Sequence, residues 1–202
     1  MRATAERMTL VEALWPWQDA QAQSVSNILR GAMLAVIGSL VLTLSAKVNV
    51  PFYPVPLSMQ TFAVLVIGAA YGWKLGAATV LLYLAEGAVG LPVFASTPER
   101  GIGLAYMFGP TGGYLIGFAV AAALIGWLCE RGWDRTFAWL LAAMFLGHII
   151  ILAYGMTWLA SQIGFEKAWE FGIAPFYLAT ILKTLLGAAF IKGAWTFAER
   201  RG

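Results

Sequence analysis

LSMQTFAVLVIGAAYGWKLGAATVLLYLAEGAVGL, residues 57 to 91, is a run of 35 positions whose only charges are Lys74 and Glu86. As one helix it would extend about 52 Å at roughly 1.5 Å per residue, far beyond a hydrocarbon core of about 30 Å. A single span cannot hold it. The YGWK segment at 71–74 supplies the break, so the run predicts two short helices, 57–72 and 74–91, joined by a tight turn. Working outward, further apolar runs at 28–46, 111–128, 137–160 and 174–197 bring the expectation to six transmembrane helices in an all-α integral membrane protein. Composition agrees: 60% of the 202 residues are hydrophobic and 11% charged, more apolar surface than a soluble core of this size can use.

An even number of spans puts both termini on one side. That side would carry Arg2, Arg7, Arg30, Lys74, Arg131, Arg135, Lys192, Arg200 and Arg201, and the other only Lys47, Arg100 and Lys167. Cationic loops stay inside, so the charge count predicts cytoplasmic termini. The net charge of +3 is spread over loops rather than gathered in a patch, and no nucleic-acid partner is expected. Residues 1–27 contain Glu6, Glu12 and Asp19 and no apolar stretch of signal-peptide length. They read as a cytoplasmic or interfacial segment, with MTLVEALWPW lying along the interface through Trp15 and Trp17 or forming a tail; residues 28–202 form one membrane domain. The single Cys129 rules out an internal disulfide and reads as packing at a helix end.

The polar exceptions inside the apolar runs are the candidate site. Lys183 lies deep in the last run, where an ammonium is costly and should face protein, water or ligand; Thr180, three residues earlier, shares its face. The alternative is a Lys that snorkels or neutralises within the bundle. NVPFYPVPLSMQT at 49–61 has prolines at 51, 54 and 56, which predict a stiff extended loop with Ser58 capping the following helix and Gln60 in its first turn. The long loop from Leu91 to Pro110, with Arg100 at its middle, reads as a lid. It ends in GPTGG at 109–113, where Gly112 and Gly113 open a helix whose bare N–H groups suit an anion; close helix packing is the competing reading. Tyr83 and Glu86 share a face near the outer end of the third predicted helix, where the carboxylate pairs with Lys183 or Arg100 or simply reaches the interface. His148, the only histidine, sits mid-helix and reads as interhelical packing, with a proton or ligand role as the alternative and no metal site. Gly31, Ala35 and Ser39, broadened by Ala32, make a flat small-residue strip on the first predicted helix.

The sequence contains no GxxxxGK[ST] loop, no GxSxG elbow and no HExxH helix, so neither ATP hydrolysis nor intramembrane hydrolysis is expected, and no catalytic residue is assigned. A channel would repeat polar residues along one pore face, whereas here they gather near the outer half.

PVPLSMQTFAVL at 54–65, LLYLAEGAVGLPVFA at 81–95, GPTGGYLIGF at 109–118 and PFYLATILK at 175–183, in this order and spacing, resemble the BioY family. Those proteins are the substrate-binding (S) components of biotin transporters of the energy-coupling factor type. The resemblance covers about residues 28 to 198. It implies six helices with cytoplasmic termini in the bacterial inner membrane and capture of biotin on the outer side, with no other cofactor. It also implies coupling to a transmembrane protein and two ATPase subunits, docked on a small-residue strip of the first helix. A homo-oligomer and an S component for another vitamin stay open. The ligand-binding candidates are then Lys183, Thr180, Arg100, Tyr83, Glu86, Gln60, Gly112 and Gly113. One departure stands out: the family usually has Asp three residues before the Lys, and here that residue is Thr180. Some members are thought to work without dedicated ATPase partners, and the sequence does not decide which kind this is.

Overall fold

The computed structural model describes residues 8–15, 25–51 and 53–200. Its helices are α1 (Leu10–Leu14), α2 (Val25–Lys47), α3 (Gln60–Ala88), α4 (Gly103–Met107), α5 (Gly112–Cys129), α6 (Phe137–Ile163), α7 (Phe165–Gly172) and α8 (Tyr177–Glu199), with a single 3₁₀ turn at Ala174–Phe176. Among the described residues, five stretches are long and apolar enough to cross a membrane: α2, α3, α5, α6 and the run Phe165–Glu199 that includes α7, the turn and α8. The chain is an integral membrane protein.

The continuous-looking α3 is two arms. Gly72 at φ 78° and ψ 176° leaves helical geometry, in a region that is essentially glycine's alone. The arms fold back on one another, since a Cβ on Gly76 would lie 3.1 Å from the Cα of Gly68. The break expected at 71–74 is therefore present and falls on Gly72. Glu130, just past α5, receives the Trp73 N–H at 3.0 Å, so a carboxylate caps the first bare amide of the second arm.

Of the five stretches α5 is the most enclosed, with 67% of its apolar window buried against 28% for α2. Apolar side chains gain nothing by leaving lipid for one another, so close approach of backbones holds such helices together. On α5 a Cβ at Gly126 would sit 2.4 Å from the Gly72 carbonyl carbon, and one at Gly117 would sit 2.9 Å from the Ile151 Cα on α6. From α3, Gly68 meets the Ala122 carbonyl of α5 in the same way, at 2.7 Å. The core thus lies where α3 and α6 clasp α5, with α2 and α8 laid on the outside.

One end of the bundle gathers α1, the Gly72 turn, residues 130–136 and the C-terminal part of α8. There Asp134, 1% exposed, accepts a hydrogen bond from Trp195 Nε1 at 2.6 Å and lies 3.5 Å from Arg135 Nε. Burial pushes the Asp134 carboxyl up from its ordinary value, with Arg135 and the Trp195 bond acting the other way. The segment expected at the interface forms α1, closed by a Thr9–Glu12 capping box, and Leu10 is buried at 3% exposure. Trp15 remains about half exposed under the Arg30 guanidinium; Trp17 lies outside the described residues.

The opposite end carries residues 47–59, 88–112 and 163–177. The proline loop is tied at its base by a two-residue antiparallel ladder, β1 (Asn49–Val50) against β2 (Leu57–Ser58), with Asn49 opposite Ser58. The ladder is possible because Pro51, Pro54 and Pro56 all lie between the two paired stretches and none sits in it. Loop 91–110 is likewise pinned rather than free: Lys47 Nζ holds the carbonyls of Phe94 and Thr97 at 3.2 and 2.9 Å. Phe94 stacks on Tyr106 of α4 with ring centroids 5.0 Å apart.

Gly72→Ala puts a Cβ 2.4 Å from Glu130 Oε1 in backbone geometry that alanine avoids. A loss of about 1–3 kcal/mol is expected, seen as a lower unfolding midpoint in detergent, whereas Glu130→Gln keeps an acceptor for Trp73 and loses less.

Candidate ligand-binding site

Between the proline loop and the helices is a mainly apolar cavity with a polar floor. Val55, Pro56, Ser58, Gln60 and Thr61 form one wall; Thr111, Tyr114, Leu115 and Phe118 of the α5 entry form another. His148, Ile151 and Leu152 of α6 face them, and Phe176, Thr180 and Lys183 close the side nearest α8, with Tyr106 above. The aromatic walls are rigid. Tyr114 lies near-parallel to Phe176, centroids 6.3 Å apart, and its hydroxyl donates to the Gly172 carbonyl at 2.8 Å.

Lys183 is 9% exposed, and its Nζ donates to the Ser58 carbonyl at 2.5 Å and to Thr61 Oγ1 at 3.3 Å. An ammonium has three donors, so one remains for the cavity. Among the described residues no carboxylate lies within ion-pair distance of it. Thr180, one turn earlier, lines the same cavity and is partly buried.

Gln60 also lines the cavity, and its amide is held at both ends: Nε2 donates to Tyr83 Oη at 2.6 Å and Oε1 accepts from Ser58 Oγ at 3.0 Å. Ser58 Oγ in turn accepts the Gln60 N–H at 3.4 Å, a weak cap at the start of α3. Tyr83 is fully buried and donates to the Val93 carbonyl at 3.0 Å, so it holds Gln60 from behind instead of facing the cavity.

Four further candidates are placed elsewhere. Glu86 accepts from Ser39 Oγ at 2.9 Å, joining α3 to α2, and pairs with neither Lys183 nor Arg100. Arg100 spans the two loops, donating to the Pro54 carbonyl at 3.0 Å with its guanidinium 5.8 Å from the Tyr53 ring. Gly112 and Gly113 are packing positions: a Cβ on Gly112 would lie 2.1 Å from the Met107 carbonyl, and one on Gly113 2.3 Å from Trp158 Cβ of α6. The α5 entry reaches the cavity through Thr111 and Tyr114, one residue to either side of that pair.

The small-residue strip of α2 also divides. Ser39 is 1% exposed and turned toward α3 by its bond to Glu86, so it leaves the strip. Ala32 is exposed, Ala35 partly so, and a Cβ on Gly31 would meet nothing within 4 Å.

Sequence reasoning missed Thr61, Thr111, Tyr114, Phe118 and Phe176 as lining residues. A signal existed for two of them, because Tyr114 and Phe118 follow GPTGG at helical i, i+4 spacing. Phe176 lies four and seven residues before Thr180 and Lys183, but the structure puts it in a 3₁₀ turn ahead of α8, where helical spacing does not fix its direction.

Residues 18–200 match the BioY family. This chain belongs to that family. It is 38% identical to a probable biotin transporter BioY of Pyrococcus horikoshii over 81% of this chain and 90% of that one. It is also 36% identical to the biotin transporter BioY of Thermotoga maritima, over 79% and 92%, and 34% to that of Rhizobium etli, over 82% and 90%. The fold is shared with a crystal structure of the S-component for biotin from an ECF-type ABC transporter, which superposes with a TM-score of 0.74 at 22% identity over 87% of this chain and 95% of that one.

Tyr83→Phe removes the acceptor for Gln60 Nε2 and the donor to Val93 in a fully buried position. The expected cost is about 1–3 kcal/mol, read as a lower unfolding midpoint in detergent.

Proposed function

We propose that this chain captures biotin from the outer side of the bacterial inner membrane and delivers it inward, coupled to an energy-coupling module of a transmembrane protein and ATPase subunits. In this reading the two arms of α3 cross separately, giving six spans with both termini in the cytoplasm. The excess of Arg and Lys at the α1 end supports that orientation. The observation that carries the reading is Lys183, an ammonium at membrane depth with one donor left, set into a cavity whose other walls are aromatic and aliphatic. Biotin combines an apolar bicyclic core with a ureido group and a carboxylate. An apolar site with a few placed polar groups fits such a molecule.

Titrating the purified protein with biotin should show one saturable site; absence of binding in both detergent and nanodiscs removes the assignment. Saturation by another vitamin alone, or ion flux without saturable binding, reassigns the chain. Lys183→Met keeps length and removes the charge, and biotin affinity should fall at least tenfold, about 1.4 kcal/mol. An unchanged affinity moves the polar floor elsewhere.

The coupling protein is proposed to dock on α2 at Gly31, Ala32 and Ala35, where small side chains leave room for another backbone. Ala35→Trp should keep biotin binding and lose uptake or co-purification with the module. Loss of biotin binding with poor folding would instead mean that the strip is internal.

A further inference from the structure

His148 is 2% exposed on α6 and lines the cavity, and its two ring nitrogens are in unlike situations. Nδ1 lies 3.1 Å from the Met144 carbonyl and 3.0 Å from Thr184 Oγ1 of α8. A carbonyl oxygen can only accept, whereas a threonine hydroxyl can accept or donate. A proton on Nδ1 satisfies both neighbours; a lone pair there would face the lone pairs of Met144. The geometry therefore assigns the hydrogen to Nδ1 and leaves Nε2 as an acceptor in the neutral ring. Nε2 is buried and has no hydrogen-bond partner among the described residues. Native proteins rarely leave a buried polar atom in that state without a reason.

The other polar groups of the cavity sharpen the point. One N–H of the Gln60 amide goes to Tyr83 and its oxygen accepts from Ser58 Oγ, which in turn accepts the Gln60 backbone N–H. Beside the hydroxyls of Thr61, Thr111 and Thr180, the cavity offers an ammonium with a spare donor, from Lys183, and a buried imidazole with a spare acceptor, from His148. A ureido group carries the complement of that pair, a carbonyl oxygen that accepts and N–H groups that donate.

We propose that His148 Nε2 is a specificity-determining ligand contact that accepts a hydrogen bond from a ureido N–H of the bound molecule. The proposal rests on the biotin reading above and adds to it a residue and an atom. Thr184 is its positioning residue, fixing the ring from α8 through Nδ1.

Because the chain has one histidine, protein labelled with ¹⁵N in histidine reports this ring alone. At saturating biotin the unprotonated Nε2 resonance should move toward the protonated range while Nδ1 keeps its proton. His148→Leu should bind biotin at least tenfold more weakly, and His148→Gln, which restores an acceptor, should recover most of the loss. The parent should discriminate against biotin methylated at the ureido nitrogens at least tenfold more than His148→Leu does. An Nε2 resonance unmoved at saturation, or a Leu variant as tight as the parent, overturns the contact while leaving the biotin reading intact. A parent that does not bind biotin removes both.

Discussion

Close approach of backbones at α5 is the constraint on which the rest depends. In lipid the helices cannot be driven together by hiding apolar surface, so contact must come from fit. Gly126 admits the Gly72 turn, Gly117 admits α6, and Gly68 of α3 admits the carbonyl of Ala122. Those contacts set the spacing of α3, α5 and α6, and that spacing fixes the width of the cavity between the proline loop, the α5 entry and His148. A side chain at any of them would push one cavity wall outward, so the width of the cavity is set by backbone contacts as well as by its own lining residues.

The loop end shows a second kind of economy. Each connecting segment is held by a side chain from a different part of the chain: Lys47 on residues 94–97, Arg100 on Pro54, Lys183 on Ser58. Backbone carbonyls that no helix satisfies are thereby paired, as buried polar groups require. The cations that the sequence shows as isolated charges act as staples between loops.

How much of this could be read in the residues differs from element to element. The turn inside 57–91 was legible because length alone forbids one span, and glycine is the residue that makes such a turn. Lys183 stood out because a charge in an apolar run has few explanations. Phase was harder to read: in a helix that is hydrophobic nearly all round, the pattern does not say which face meets which neighbour. Hence Glu86, expected near Lys183 or Arg100, turns instead to Ser39 on α2, and Tyr83 lies behind Gln60. Gly112 and Gly113 look like an anion cradle until Trp158, far along the chain, is seen to fill the space before them. The orientation of His148 depends on Met144, one turn back, and on Thr184, a different helix; only the first is near it in sequence.

The Lys183 ammonium binds the Ser58 carbonyl and Thr61 on the α3 side while sitting on α8. One group therefore joins the cavity mouth to its floor. Any movement that draws α8 away from the first arm of α3 must break both of these bonds in the same displacement. The ammonium is thus a latch between the last helix and the proline loop as well as a polar group of the cavity.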